Sequence, residues 1–172
     1  MIVSFIIVAY NAEKVLKDCL TSLNEQTYPH KKIEIILVDS NSSDNTKTIM
    51  LNFKDEFEDK YKRIIILDNP KRTLPCGWNV ALKNVTGDVI LRVDAHTKYP
   101  KDFIQKNVTE IENGEDIVGG QCISITKDNT QWEKTLLIAE ESIFGCGIAA
   151  FRRKKQKEYV NTLAFAMYRK SV

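Results

Sequence analysis

The sequence predicts an α/β protein with a mostly parallel sheet, helices on both of its faces and mixed strands in its C-terminal half. Three observations carry this prediction. Runs of β-branched and aromatic residues almost free of polar side chains occur at residues 2–10, 33–38, 64–67 and 89–93, the composition of strands buried on both faces. The segments between them place apolar residues at helical spacing. Their connections are short, so strand and helix alternate as in β-α-β units.

Residues 2–10 open the sheet. Asn11 then reads as a helix cap, with Glu13 in the first turn where the helix dipole favours a carboxylate, and Val15, Leu16, Cys19, Leu20 and Leu23 share one helical face. Residues 33–38 form the second strand and 40–45 a polar turn. Ile49, Phe53 and Phe57 follow at i, i+4 and i+8 on a second helix. Residues 64–67 make a third strand and 68–75, with Pro70 and Pro75, a loop. A helix over 78–83 and a turn at Gly87 lead into the fourth strand at 89–93.

The pattern then changes. Residues 116–125 and 158–168 read as strands, separated by a helical stretch at 132–143 and by the basic cluster Arg152, Arg153, Lys154, Lys155 and Lys157. No internal repeat or low-complexity linker divides the chain, so residues 1–172 are expected to form one domain, of a size that buries a substantial core.

Composition excludes several functional classes. Lys and Arg total 25 against 23 Asp and Glu, a net charge of +2, without the one-sided excess that binding nucleic acid by phosphate neutralisation requires. The cysteines at 19, 76, 122 and 146 form no Cys-x-x-Cys pair, and His30 and His96 are the only histidines, which leaves little material for a Cys/His zinc site. These cysteines read as reduced thiols. Met1 runs into an apolar segment with neither a cationic stretch nor a cleavage site, so a cytoplasmic protein is expected. The best candidate for a membrane span, residues 136–151, is interrupted by Glu140 and Glu141. Asn-x-Ser/Thr sequons at Asn41, Asn84 and Asn107 read as chance occurrences.

In open parallel sheets ligands bind beyond the carboxyl ends of the strands. Those ends are polar here: Ala9-Tyr10-Asn11, Asp39-Ser40-Asn41, Asp68-Asn69 and Asp94-Ala95-His96. On an extended segment Asp94 and His96 would project to the same side, a mixed oxygen and nitrogen pair acceptable to Mn²⁺ or Mg²⁺ with water and ligand phosphate completing the shell.

Three segments in this order, Ser4-Phe5-Ile6-Ile7-Val8-Ala9-Tyr10-Asn11-Ala12-Glu13, then Glu34 to Asp44 with Val38-Asp39-Ser40-Asn41-Ser42, then Gly87 to His96 with Arg92-Val93-Asp94-Ala95-His96, resemble the nucleotide-sugar half of a family 2 glycosyltransferase with a GT-A fold. The Arg-Val-Asp-Ala-His form, Asn69-Pro70-Lys71-Arg72 and Phe144-Gly145-Cys146-Gly147 resemble the succinoglycan-biosynthesis glucosyltransferase branch. The resemblance implies transfer of a sugar, glucose above all, from a UDP-sugar to a lipid-linked or polysaccharide acceptor in bacterial surface polysaccharide synthesis, by inverting displacement. It implies a donor site of Ala9, Tyr10, Asn11, Glu13, Asp39, Asn41, Arg72 and Asp94, with Ala9 and Tyr10 bordering uracil, Asp39 accepting from the base, and Asp94 facing ribose and an ion shared with His96. That ion is Mn²⁺ or Mg²⁺. His96 stands where relatives carry the second Asp of Asp-x-Asp.

The family's general base follows a Gly-Gly-Phe-Asp-Glu-like segment that this sequence lacks. The base is therefore expected beyond Val172, and the chain reads as a truncated N-terminal catalytic-domain fragment, itself inactive in transfer. Glu140 and Glu141 read as a solvated helix face. The full-length protein is expected at the inner face of the membrane, where the basic cluster could meet lipid head groups.

Other classes fit less well. Gly145-Cys146-Gly147-Ile148-Ala149-Ala150 matches a dinucleotide fingerprint formally, yet it follows a helix and precedes a basic run. No phosphate-binding Gly-x4-Gly-Lys-Ser/Thr loop occurs. A sugar nucleotidyltransferase would share the fold but carries a glycine-rich basic loop where this chain has Asn11-Ala12-Glu13-Lys14. A non-catalytic nucleotide-sugar binding module remains an alternative, because strand-end carboxylates serve binding as well as catalysis.

Overall fold

The structure, a computed structural model, describes residues 1–124, 130–142 and 157–172. The Gly145 to Ala150 motif and Arg152, Arg153, Lys154 and Lys155 lie outside these residues, as do Ile125 and Ile143. The chain forms two compact units, residues 1–118 with 167–172, and residues 119–166.

The larger unit is organised by a sheet whose strand order is β3-β2-β1-β4-β6-β5. β1 (Val3–Ala9), β2 (Ile33–Asp39), β3 (Arg63–Asp68) and β4 (Val89–Asp94) run parallel, and β6 (Ala166–Arg169) is antiparallel to β4. All seven residues of β1 and of β2 are buried, which explains why these segments read as continuous apolar runs without alternation. On one face Val3, Phe5 and Ile7 meet α1 (Leu16–Asn24), α2 (Thr46–Phe57) and α4 (Phe103–Glu112). On the other, Ile6, Val8, Ile36 and Val38 pack with Ala81 of α3 (Leu74–Leu82) and with Val85. Helices therefore cover both faces, as expected.

Differences from the sequence expectation are local. α4 occupies a stretch for which the sequence analysis proposes no element, although Ile104, Val108 and Ile111 bury one helical face at i, i+4 and i+7. Among the described residues, the strand expected over 116–125 is only β5 (Ile117–Gly119), and that expected over 158–168 is only β6. β6 is held by its ladder to β4 and by Arg169, whose Nε donates to Asp116 Oδ1 at 3.1 Å. Asn107 of the third sequon is buried in α4, its Nδ2 donating to the Phe103 carbonyl at 2.8 Å. α5 (Gln131–Glu141), in the smaller unit, starts in a capping box of Thr130 and Glu133.

The amino ends of the strands are pinned by a buried carboxylate. Glu34 in β2 accepts from Ser4 Oγ at 2.5 Å, Arg63 Nε at 2.8 Å, and the Thr86 and Gly87 N–H groups at 2.7 and 3.0 Å. Burial alone would raise its pKa, but the donors from Ser4, Thr86 and Arg63 outweigh burial and hold the carboxyl at about 2. Gly87 must be glycine for this approach, since a Cβ there would collide with Ser4 Oγ.

Candidate functional site

β1 leads to β2 and β3 on one side, whereas β4 lies on its other side, so the winding reverses between β1 and β4. Such a switch point opens a crevice beyond the carboxyl ends of the two strands. Strand register sets the residues around it: Ala9 lies opposite Asp39, Asp39 opposite Asp68, and Val8 opposite Asp94.

Asp39 is 2% exposed, yet among the described residues its carboxylate receives only the Ser42 N–H, at 3.4 and 3.3 Å to the two oxygens. Buried carboxylates ordinarily gather several short donors. Among the described residues, most of the accepting capacity of Asp39 is unfilled. Its backbone carbonyl accepts the Asn69 N–H at 2.8 Å, and the Ser40 N–H donates to the Ala9 carbonyl at 2.8 Å, so the strand ends are stitched rigidly around it.

Asn11 does not cap the first helix. α1 starts after Val15 without a side-chain cap, and Asn11, at φ 47°, turns toward the loop after β2. Its N–H donates to Ser42 Oγ at 3.0 Å and its Oδ1 accepts the Ser43 N–H at 2.9 Å. Glu13 likewise serves the next helix: its Oε2 accepts from both the backbone N–H and Nδ2 of Asn45, the residue preceding α2, at 3.0 Å each. A carboxylate at the start of α2 is favoured by that helix's dipole. Asn11 and Glu13 thus clasp the two loops that frame Asp39.

Among the described residues, three other than glycine have a left-handed backbone, Asn11, Asn41 and Arg72, and all three belong to the expected donor site. Tyr10 is 52% exposed at the rim. Asn41 and Arg72 are exposed and adjacent. With its carboxamide oxygen turned toward Arg72, Asn41 accepts from Nε at 3.1 Å and from Nη2 at 2.5 Å.

At β4 the geometry departs from expectation. The strand ends at Asp94, and Ala95 and His96 form a turn in which the Thr97 N–H donates to the Asp94 carbonyl at 3.2 Å. Strand alternation therefore does not extend to His96, and it does not hold the Asp94 and His96 side chains to one side. Asp94 is half-buried and His96 exposed. Among the described residues no cluster of three or more His, Cys, Asp or Glu side chains is assembled to hold an ion. One carboxylate and one imidazole still suit Mn²⁺ or Mg²⁺ when water and a ligand's phosphate oxygens supply the other positions.

Sequence reasoning missed several supports of the site. Cys19 Sγ lies 3.7 Å from the Asp94 carbonyl as donor, and burial, reinforced by the Asp94 charge, pushes its thiol up to about 12. Lys47 Nζ pairs with Asp68 at 2.6 Å, and that hydrogen bond, helped by the charges of Asp68 and Asp39, raises the pKa of the ammonium. The Arg92 guanidinium stacks 5.2 Å from the Trp78 ring. These contacts join residues far apart in the chain, so no local spacing in the sequence announces them.

A mostly parallel sheet of this order, with Asp39 and Asp94 closing the strands on either side of β1, is the GT-A fold of the glycosyltransferase class. The chain belongs to glycosyl transferase family 2, whose profile matches residues 4–172. It is 29% identical over 169 residues to the dolichyl N-acetyl-alpha-D-glucosaminyl phosphate 3-beta-D-2,3-diacetamido-2,3-dideoxy-beta-D-glucuronosyltransferase of Methanococcus voltae, covering 96% of this chain and 52% of that protein. It is 34% identical over 100 residues to the poly(ribitol-phosphate) beta-glucosyltransferase of Bacillus spizizenii, covering 55% of this chain and 15% of that protein. The crystal structure of S. aureus TarS 1–349 in complex with UDP-GlcNAc superposes with a TM-score of 0.63 at 25% identity, covering 76% of this chain and 37% of that one. The chain spans about half the length of the Methanococcus relative. Enzymes of this fold commonly use a divalent metal. Among the described residues no helix is long and apolar enough to cross a membrane.

Proposed function

We propose that this chain binds the donor of an inverting glycosyltransferase that moves a sugar, in the first instance glucose, from a UDP-sugar to a hydroxyl of a lipid-linked or glycan acceptor at the cytoplasmic face of a bacterial membrane. The observation that carries this proposal is Asp39, a buried carboxylate at the end of β2 that has, among the described residues, only one long donor of its own. The UDP-GlcNAc complex of TarS supports a uridine donor, the beta-glucosyltransferase relative supports glucose, and the Arg-Val-Asp-Ala-His form supports kinship with the succinoglycan branch.

In this proposal Asp39 accepts from the base, Ala9 and Tyr10 border it, and Asp94 holds the ribose. Asn11 and Glu13 keep the framing loops closed, and the Arg72 fork offers donors to the nucleotide. Asp94 and His96 are the residues that would hold Mn²⁺ or Mg²⁺, which when bound neutralises the departing diphosphate. The acceptor oxygen attacks the anomeric carbon as the bond to UDP breaks, and the hydroxyl proton passes to a base. No residue described here is assigned that role.

Calorimetry with UDP-, GDP- and dTDP-sugars, with and without Mn²⁺, tests the proposal. Tightest binding of a UDP-sugar is expected, and preference for GDP or dTDP would overturn the assignment of Asp39 to uracil.

A further inference from the structure

Asn41 and Arg72 share two unusual properties: each has a left-handed backbone, at φ 60° and 61°, and each completes the other's hydrogen bonding. Asn is one of the few residues that tolerates φ > 0, but glycine at that position would carry no strain. An Asn in this conformation needs a reason in its side chain. That reason is supplied by the carboxamide oriented with its oxygen toward Arg72, where it takes the Nε–H and one Nη2–H.

The backbone around Arg72 is anchored to the same strand end. The Arg72 N–H donates to the Asn69 carbonyl at 3.1 Å, the Asn69 N–H donates to the Asp39 carbonyl at 2.8 Å, and Asn69 Nδ2 donates to Ser40 Oγ at 3.0 Å. Arg72 is thus tied to the Asp39-Ser40-Asn41 segment at its main chain and again at its guanidinium. A long arginine side chain on an exposed loop otherwise gives up rotamer freedom when it settles on a ligand. Of the five guanidinium N–H donors, the Asn41 bonds engage two and leave three.

We infer that Asn41 is a positioning residue that acts through Arg72, holding the guanidinium against the loop after β2 before the nucleotide arrives, and does not itself touch the donor. The inference rests on the proposed role of Arg72 in binding the nucleotide. It converts an exposed arginine into a preorganised one, so the affinity gained depends on the pair.

A double-mutant cycle measured by UDP calorimetry tests it, with Asn41→Gly, Arg72→Gly and the double variant, and thermal unfolding of each. Glycine suits both backbones, so all three variants should fold with melting temperatures within a few degrees of the parent. Asn41→Gly should weaken UDP binding about fivefold and Arg72→Gly about tenfold, while the double variant should match Arg72→Gly alone. Two results would overturn the inference while leaving the role of Arg72 intact: unchanged affinity in Asn41→Gly, or a loss from Asn41→Gly that persists in the Arg72→Gly background. Unchanged affinity in Arg72→Gly would instead remove the nucleotide-binding role on which the inference rests.

Discussion

Asp39 and Asp94 flank β1 one residue out of register, Asp39 opposite Ala9 and Asp94 opposite Val8. Ala9 belongs to the α1, α2 and α4 side of the sheet and Val8 to the α3 side. Because register partners share a face, the two carboxylates border the crevice from opposite sides of the sheet. A single ligand lying across the end of β1 meets them with different parts of its structure.

Asp39→Ala is therefore expected to weaken UDP binding about tenfold or more with and without Mn²⁺, the loss of about 1.5 to 3 kcal/mol for a hydrogen bond to a charged group. Asp94→Ala should lose affinity chiefly when Mn²⁺ is present. Titration of both variants with UDP in metal and in chelator checks this, and equal behaviour of the two would contradict the separation of roles.

Glu34 makes stability depend on acid. Its folded pKa of about 2 lies below the ordinary 4.5, so its contribution is complete above pH 4.5 and is lost as pH falls from there toward 2. At neutral pH that contribution is about 3 kcal/mol. Glu34→Gln should unfold at lower denaturant concentration at pH 7 and show a flatter stability profile between pH 4.5 and 2. Urea titrations at stepped pH provide the comparison.

Gly77 of α3 lies where a Cβ would collide with Val8 Cγ1 and approach Asn69 Nδ2 to 3.2 Å. Alanine normally favours a helix interior by about 1 kcal/mol over glycine. Here Gly77→Ala should instead destabilise, by about 1 to 3 kcal/mol, because overpacking must push α3 off β1. Adding Val8→Ala should recover part of the loss, which equilibrium denaturation of both variants would measure.

Cys19 should stay silent toward thiol reagents in the folded protein. It is fully buried and its thiol is held to about 12, so little thiolate forms at pH 8. Mass spectrometry after iodoacetamide treatment should find Cys19 unmodified in native protein and alkylated once the chain is unfolded. Modification at similar rates in both states would show that the contact with the Asp94 carbonyl does not shield it.

What the amino-acid order determined by itself was local and periodic. The parallel strands were legible because both of their faces are buried, which leaves a continuous apolar signature in β1 and β2. The polar residues ending those strands were legible because a strand that leaves the core must meet solvent or ligand. α4 was equally readable from Ile104, Val108 and Ile111, which recur at helical spacing on one buried face. Only the tertiary structure decided the partners. Whether Asn11 caps α1 or holds Ser43, whether Glu13 serves its own helix or α2, and whether Asn41 meets Arg72 depend on loops brought together by sheet order. The end of β4 at Asp94, which separates His96 from the strand's alternation, depends on a turn closed by Thr97. Hydrogen bonds across 30 or so residues leave no period in the sequence, because what selects them is the distance between strand ends in space and not along the chain.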